Sequence, residues 1–309
     1  MRILLHYPEW KNRWIPYVNE ALSELDVTLC HEVKSERNLC KVSVEYDILV
    51  SMWASDIVAV WTRNFPEKKI VTYIRRFEMW EPDLMQNIKW EAVDKVIFVS
   101  EWCRRAANDI LSHNKIILPS DQRVIHNGVD LEEFPFRGKR ADTKKIGLVC
   151  SLKEVKNIPL AFQIMLALPE EYSLHHVGLP FSNQDAGQLY SYAHGLANLS
   201  GRFVTDWYIP SHRIAGWLAD KDFILSTSIN EGNPNNIMEA MSMGIKPIIH
   251  SWPGAYDQFP NDLIFSKVSE AVDLITEDTY EPQRYRDWVA SRYSLDNFKK
   301  LTATIKEFF

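Results

Sequence analysis

The chain has 309 residues, of which 46% are hydrophobic and 25% are charged, and its formal net charge at neutral pH is −6. This length predicts two domains of roughly 150 residues each, with enough apolar residues for two cores. The acidic balance argues against a nucleic-acid partner, because nucleic-acid-binding proteins carry a strong basic excess. The apolar runs fall short of the ~20 residues that cross a bilayer, so we predict no transmembrane segment.

The cysteines indicate the compartment in which the protein works. They are widely and irregularly spaced, with no CxxC pair and no Cys/His cluster of metal-site spacing. Each is predicted to be a small buried residue of a reduced, cytoplasmic protein rather than a metal ligand or half of a disulfide. The four residues are Cys30, Cys40, Cys103 and Cys150.

The amino-terminal half alternates short apolar runs with longer mixed segments. The first run, within MRILLHYPEW, meets Glu9 after only a few apolar residues, which predicts a β-strand and not a signal peptide. Most runs are rich in Val and Ile and almost continuously hydrophobic, as parallel strands buried on both faces are. This βαβ succession predicts strands at 2–6, 26–32, 46–51, 68–74, 95–100 and 122–126.

The same pattern restarts after a charged stretch at 137–145, which is predicted to be a linker or surface turn. A helix follows the first strand of this half, with Asn157 as its N-cap, Pro159 in its first turn and Pro169 after its end. The tail at 285–309 is predicted to form one or two amphipathic helices. Strands are predicted at 146–150, 173–178, 203–206, 223–226, 246–250 and 263–265.

Two βαβ successions predict an α/β protein with two doubly wound Rossmann-like domains that face each other across a cleft. We assign 1–140 to the first domain and 141–284 to the second, and we expect 285–309 to pack back towards the first. Ligands of such sheets bind beyond the carboxyl ends of the strands, so the loops at those ends are the places to look for chemistry.

The segment 222–251, DFILSTSINEGNPNNIMEAMSMGIKPIIHS, carries the strongest functional signal. It is predicted to form a strand, a flexible loop (231-EGNPNN-236), a short helix and another strand. Backbone N–H groups and the positive end of the helix dipole converge at that loop, which suits a phosphate. Glu231 and Glu239 would repel a phosphate but can accept hydrogen bonds from sugar or ribose hydroxyls. Either carboxylate alone is explained as an ordinary surface acid, whereas the combination with the loop favours a binding site.

Glu231 and Glu239 enclose seven residues, and this spacing resembles the Glu-x7-Glu motif of retaining glycosyltransferases with the GT-B fold, especially glycosyltransferase family 4. The surrounding segment resembles the family pattern as well. Four other segments of the chain also resemble family motifs, and they occur in the same order as in the family. The resemblance therefore extends from about residue 90 to 257. They are 94-DKVIFVSE-101, 124-VIHNGVDLEEF-134, 150-CSLKEVKN-157 and 254-GAYD-257.

The resemblance implies an enzyme that moves a sugar from a UDP- or GDP-linked donor to a glycan, lipid-linked or small-molecule acceptor. It implies retention of configuration and no metal or other cofactor. Lys156 would neutralise the donor diphosphate and stabilise the leaving group. Glu231 would hold hydroxyls of the transferred sugar, and Glu239 those of the ribose. The loop and helix start would cradle the phosphate through Gly232, Asn235, Asn236 and Ile237.

The second domain departs from the family pattern at two places. Ser151 stands where the family has an Arg, so half of the expected diphosphate clamp is missing, and Lys153 is a candidate replacement. Asn233 and Pro234 replace the usual Phe-Gly, which would stiffen the loop and alter which sugar fits.

The first domain departs at the end of its fourth strand, where Ile74 stands in place of the His that many members carry. Arg75 and Arg76, followed by Glu78, lie just beyond that strand end and are our candidates for catalytic charge in this domain. A solvated turn explains a pair of arginines equally well.

Seven of the eleven tryptophans fall within the first 102 residues. Most are predicted to be core or interdomain residues, but together with nearby basic residues (Lys11, Arg13, Arg104 and Arg105) some are candidates for a surface that binds a glycan or lipid-linked acceptor. A peripheral contact with the inner face of the membrane is therefore left open. The seven are Trp10, Trp14, Trp53, Trp61, Trp80, Trp90 and Trp102.

Two other functions remain open at this point. One is another GT-B enzyme, such as a sugar-nucleotide epimerase or a phosphorylase. The other is a catalytically silent partner subunit that binds a nucleotide sugar, which Ser151 and Ile74 keep under consideration.

Overall fold

The computed structural model describes residues 1–8, 14–31, 35–138, 140–179, 187–188, 191–192, 195–196, 199, 201–277 and 279–309. Four residues named above lie outside these ranges: Glu9, Trp10, Lys11 and Arg13. Residue 32 of the second predicted strand and residue 139 of the charged stretch lie outside them as well. The described chain separates into two compact units, Met1–Gly128 together with Leu295–Phe309, and Val129–Ser294. In the described part of the chain, every helix is too short or too polar to cross a lipid bilayer.

The first unit is built on a six-stranded parallel sheet in the order β2-β1-β3-β4-β5-β6. Its central strands are nearly continuous apolar runs that are buried on both faces, as the sequence predicted. The edge strands β2 and β6 are only partly buried. The order reverses between β1 and β3, so helices cover both faces of the sheet. The strands are β1 Arg2–His6, β2 Asp26–Cys30, β3 Ile48–Ser51, β4 Lys69–Ile74, β5 Lys95–Phe98 and β6 Gln122–Val124.

The helices of the first unit follow its strands in alternation. Ser35 and Ser100 accept backbone N–H bonds at the starts of the second and fifth helices, so each helix begins with a side-chain cap. The helices are α1 Ile15–Ala21, α2 Glu36–Ser43, α3 Asp56–Asn64, α4 Pro82–Gln86, α5 Glu101–His113 and the carboxyl-terminal Asn297–Lys306, with 3-10 turns at Phe77–Trp80 and Trp90–Ala92.

The second unit repeats the design, with a six-stranded parallel sheet in the order β12-β11-β10-β7-β8-β9. Buried apolar residues from both faces of this sheet form two clusters. The predicted doubly wound α/β organisation is therefore confirmed for both units. The strands are β7 Lys145–Val149, β8 Ser173–Val177, β9 Phe203–Thr205, β10 Phe223–Ser226, β11 Lys246–His250 and β12 Ile264–Phe265.

The helices of the second unit include the one that the sequence marked most clearly. It begins directly after Asn157, with Pro159 in its first turn, but Asn157 adopts a left-handed conformation (φ 46°) and its side chain makes no capping hydrogen bond. The helices are α6 Ile158–Ala167, α7 Ile214–Leu218, α8 Asn235–Ser242, α9 Ala255–Gln258, α10 Val268–Thr276 and α11 Pro282–Arg292; the carboxyl-terminal helix of the first unit is α12.

The unit boundaries differ from the predicted 140 and 284. The chain enters the second unit before the charged stretch, because Phe134 is buried in the core of that unit and the N–H of Arg137 donates to the carbonyl of Met243. Helix α11 also belongs to the second unit, since Tyr285 and Val289 lie in the same core. Of the predicted tail, only the part from Leu295 onwards belongs to the first unit.

The cysteines differ in their burial. Cys103 is buried as predicted, whereas Cys30, Cys40 and Cys150 are only half-buried. All four are free thiols.

Helix α12 is an integral part of the first unit although it is last in the chain. It buries Leu301 and Ile305 completely in the first core. The hydroxyl of Thr302 donates to the carbonyl of Ala21 at 2.5 Å. The carboxylate of Glu307 pairs with Lys95 at 2.7 Å. The first core is thus assembled from two distant parts of the sequence.

Leu301→Ala is expected to lower the free energy of unfolding by about 2–5 kcal/mol, because it opens a cavity where the native side chain is fully buried. Urea unfolding followed by circular dichroism measures the change. Lys299→Ala is the matched control, since this exposed lysine of the same helix pairs with exposed Asp296. The control should stay within about 0.5 kcal/mol of the unaltered protein. Equal stabilities of the two variants would show that α12 contributes little to the first core.

Candidate functional site

The predicted donor-binding residues gather at the carboxyl edge of the second sheet. Strands β7 and β10 are parallel neighbours there, with Ile146 opposite Phe223. The loops that follow parallel strands emerge at the same edge, so the loop after β7 lies beside the loop after β10. The first of these loops carries Lys156 and the second carries Glu231.

Lys156 and Glu231 form an ion pair between Nζ and Oε1, although they are distant in the sequence. Their side chains are 19% and 11% exposed, so the pair is largely shielded from solvent. The hydroxyl of Ser228 also donates to Oε1 of Glu231, at 2.7 Å. The two residues for which separate roles were predicted therefore contact each other directly.

Backbone contacts hold the two loops together behind this ion pair. The hydroxyl of Thr227 donates to the carbonyl of Lys156 at 2.7 Å. The N–H of Ile229 donates to the carbonyl of Val155 at 2.9 Å. His250, at the end of β11, contacts the carbonyl of Ser228 at 3.0 Å through Nδ1. The lysine and the carboxylate are thus fixed by their main chains and not only by their mutual attraction.

The loop before helix α8 is buried, and side-chain hydrogen bonds hold it in place. The side-chain amide of Asn233 donates to Oε1 of Gln258 at 2.7 Å. Gln258 in turn donates from Nε2 to the carbonyl of Gly232 at 3.0 Å. A buried amide network therefore fixes Gly232 and the start of α8. Such a preformed helix start offers N–H groups that have no acceptor within the helix, together with the positive end of its dipole.

The remaining predicted residues of α8 lie in different surroundings. Asn235 and Asn236 are half-buried, and the side-chain amide of Asn236 donates to the carbonyl of Val149 at 2.7 Å, which ties the helix to the end of β7. Ile237 is fully buried and packs in the core, so only its N–H is suited to a ligand. Glu239 is 3% exposed, and its role towards a ribose remains a prediction.

The end of β8 closes the same edge of the sheet. The carbonyl of Cys150 approaches Gly178 so closely that a Cβ there would lie 1.8 Å from its oxygen, so only glycine fits. The Nε2 of His176 lies 2.9 Å from the same carbonyl, and Nδ1 lies 2.9 Å from the hydroxyl of Thr205. Burial lowers the pKa of His176, which favours the neutral ring. These contacts place His176 in the packing at the end of the strand.

Arg75 and Arg76 lie just past the end of β4 in the first unit, as predicted. Arg75 is buried, with 8% of its surface exposed, whereas Arg76 is half-buried. Both backbone N–H groups donate to Oε2 of Glu78, at 3.1 and 2.9 Å. Glu78 is fully buried, and burial raises its pKa. Arg75 is therefore not a solvated turn residue, which was the alternative that the sequence left open.

Two residues that support the site were not identified from the sequence. Ser228 donates a hydrogen bond to Glu231, and it lies three residues before Glu231 within the segment 222–251 that carried the functional signal. Gln258 holds the loop by accepting a hydrogen bond from Asn233. In the sequence it directly follows 254-GAYD-257, one of the segments that resemble the family. No spacing rule within the loop itself would have pointed to it. In the described ranges, no group of three or more His, Cys, Asp or Glu side chains is placed to hold a metal ion.

No protein-family model matches the chain, and no curated protein matches its sequence. Solved structures are similar in fold. HepE of Anabaena, solved with UDP and glucose, has a TM-score of 0.81 at 14% identity, with 100% of each chain covered. Sucrose-phosphate synthase of Thermosynechococcus elongatus has a TM-score of 0.75 at 14% identity, with 99% of this chain and 98% of that chain covered.

A glycosyltransferase of Rickettsia africae has a TM-score of 0.72 at 14% identity, with 98% of this chain and 97% of that chain covered. These similarities extend over nearly the whole chain and are high for such low identities. The chain therefore has the GT-B type of α/β fold, with two Rossmann-like units.

Proposed function

We propose that the protein is a glycosyltransferase that uses a nucleoside-diphosphate sugar, with UDP as the nucleotide, as its donor. The observation that carries this proposal is the ion pair of Lys156 and Glu231 beside the fixed start of helix α8. A cation, a carboxylate and a helix start suit a diphosphate, a sugar hydroxyl and a phosphate respectively. HepE was solved in complexes with UDP and with UDP-glucose, which supports the choice of nucleotide.

Each group has a role in the proposed transfer. When the bond between the sugar and the diphosphate breaks, negative charge develops on the departing phosphate. The ammonium of Lys156 and the dipole of α8 would stabilise this charge without help from a metal. Glu231 would accept hydrogen bonds from the transferred sugar and Glu239 from the ribose. Together with the Glu-x7-Glu spacing, this arrangement supports transfer with retention of configuration.

The acceptor in this proposal is a glycan or a lipid-linked sugar. Phe77 and Trp80 support it, since both lie on the 3-10 turn after β4 and are 39% and 51% exposed. Aromatic rings that are held at a surface stack well on the apolar faces of sugars. Four free thiols fit a reducing compartment, so we assign the activity to the cytoplasm.

A thermal-shift screen with UDP, GDP, ADP and their sugar derivatives tests the donor. A ligand present at about 100 times its Kd should stabilise the protein by ~2.7 kcal/mol, and we expect UDP and a UDP-sugar to do so. Release of UDP from the stabilising donor is then measured with and without oligosaccharide acceptors. Absence of a shift with every nucleoside diphosphate would contradict the proposal. Binding without turnover would favour the silent partner subunit.

A further inference from the structure

The guanidinium of Arg75 is a buried charge in the first unit. It lies beyond the carboxyl end of β4, a central strand of the sheet, and only 8% of the residue is exposed. Its hydrogen bonds go to neutral oxygens. Nε donates to the carbonyl of Met52 at 3.1 Å, and Nη1 donates to Oδ1 of Asn127 at 2.8 Å.

No carboxylate lies within ion-pair distance of this guanidinium among the residues that the structure describes. Nη2 makes no hydrogen bond to any of those residues either. Glu78 favours the charged form of Arg75 through space, but its Oε2 is committed to the two backbone N–H groups of the turn. A buried charge that lacks a partner is costly, so this arrangement requires another source of stabilisation.

Aromatic rings supply part of that stabilisation. The guanidinium carbon lies 4.1 Å from the ring centroid of Trp53, 5.0 Å from that of Trp14 and 5.1 Å from that of Tyr73. Cation–π contacts at such distances keep a guanidinium charged in a poorly solvated place. Burial lowers the pKa of Arg75 only to about 10, so the group stays cationic at neutral pH.

The rings of Trp14, Trp53 and Tyr73 form an aromatic cage around Arg75, and one of them carries a polar group. Tyr73 is 2% exposed, and its hydroxyl has no hydrogen-bond partner among the residues that the structure describes. A planar guanidinium with an open Nη2, next to a phenol, matches the oxygens of a phosphate or a carboxylate. A ligand anion at this place would neutralise the buried charge and accept hydrogen bonds from donors that the described residues leave unused.

We infer that Arg75 and its aromatic cage form a subsite in the first unit for an anionic group, a phosphate or a carboxylate. The name of the ligand rests on the proposed function: in a glycosyltransferase this group belongs to the acceptor, which is then a phosphorylated or acidic sugar or a lipid-linked phosphate. The anion site itself does not depend on that function.

The test is calorimetric titration of the protein with inorganic phosphate in the presence of saturating UDP, which occupies the other phosphate site. We expect Arg75→Gln to weaken phosphate binding at least about tenfold, because it removes charge-assisted hydrogen bonds. Arg75→Lys should recover part of that binding. Arg63→Gln is the matched control, since this arginine of α3 pairs with Glu36 at the surface, and it should bind phosphate as the unaltered protein does.

Urea melts of all variants separate binding from folding. The inference is overturned if the unaltered protein does not bind phosphate, or if folded Arg75→Gln binds phosphate equally well. Arg75 would then serve only to link Met52 and Asn127 through hydrogen bonds. UDP affinity is measured in the same series, so a protein that binds phosphate at Arg75 but no nucleotide would contradict only the proposed function.

Two further arms identify the source of the anion. One uses glucose 6-phosphate and glucuronate in solution. The other uses phosphatidylcholine vesicles with and without phosphatidic acid. If binding of the acidic sugars or of the phosphatidic acid vesicles is lost in Arg75→Gln, the inference is supported and the kind of acceptor is identified. If both kinds of ligand bind equally well to Arg75→Gln, the inference is contradicted.

Discussion

Lys156→Ala is expected to weaken UDP binding about tenfold or more and to leave uridine binding within about twofold, because it removes a charge directed at the phosphates. Calorimetric titration with both ligands measures the two affinities. Lys144→Ala is the matched control, since Lys144 belongs to the same unit but pairs with Glu171 at the surface. Equal UDP affinity of Lys156→Ala and the unaltered protein would show that Lys156 serves only to hold Glu231.

The ion pair complicates that experiment, and a double variant resolves it. Lys156→Ala leaves the carboxylate of Glu231 poorly solvated and unneutralised, so repulsion of the diphosphate would also weaken binding. Combining Lys156→Ala with Glu231→Gln removes this repulsion. If lost contact with the diphosphate is the cause, the double variant stays weak. If repulsion is the cause, UDP affinity returns, and the assigned role of Lys156 is wrong.

Glu239→Gln and Glu231→Gln are expected to fail at different steps. Glu239→Gln should weaken UDP and the UDP-sugar alike, by about tenfold, because both ligands contain the ribose. Glu231→Gln should leave UDP within about twofold and reduce transfer at least about tenfold, because its partner is present only on the donor sugar. Glutamine is chosen over alanine because it can still accept the hydrogen bond from Ser228.

Glu154→Gln controls for the loss of an acidic side chain near the site, since Glu154 is exposed in the loop after β7. UDP affinity is measured by calorimetry and transfer by release of UDP. Urea melts identify any variant that has merely lost stability. Loss of UDP affinity to the same degree in both folded glutamate variants would contradict the division of roles, even if the protein is a glycosyltransferase.

The sheets were predictable from the sequence because strands buried on both faces need little context. Residues 223–226 are apolar up to the final Ser, residues 246–250 contain an apolar Pro-Ile-Ile run, and both became strands with those bounds. The boundary after Gly128 was not predictable in this way. A charged stretch such as 137–145 reads as a linker, but the burial of Phe134 in the second core decides where the unit begins.

The candidate site was also predictable only in part. Spacing pointed to Glu231 and Glu239, because a motif is a local property of the chain. The contact of Lys156 with Glu231 depends on the direction of side chains in two loops, which is fixed by strand order. Likewise, an arginine pair after a strand gave no sign that Arg75 turns inward among aromatic rings while Arg76 does not.

The place of helix α12 has a consequence for the order in which the units can form during synthesis. Proteins are made from the amino terminus, and domains usually fold in that order. Here the first sheet emerges first, but Leu301 and Ile305 of its core are added last. The second unit is continuous, from Val129 to Ser294, and is therefore complete while the first still exposes the apolar face that α12 will cover. A ribosome that stops after Ser294 would release a finished second unit attached to an unfinished first one.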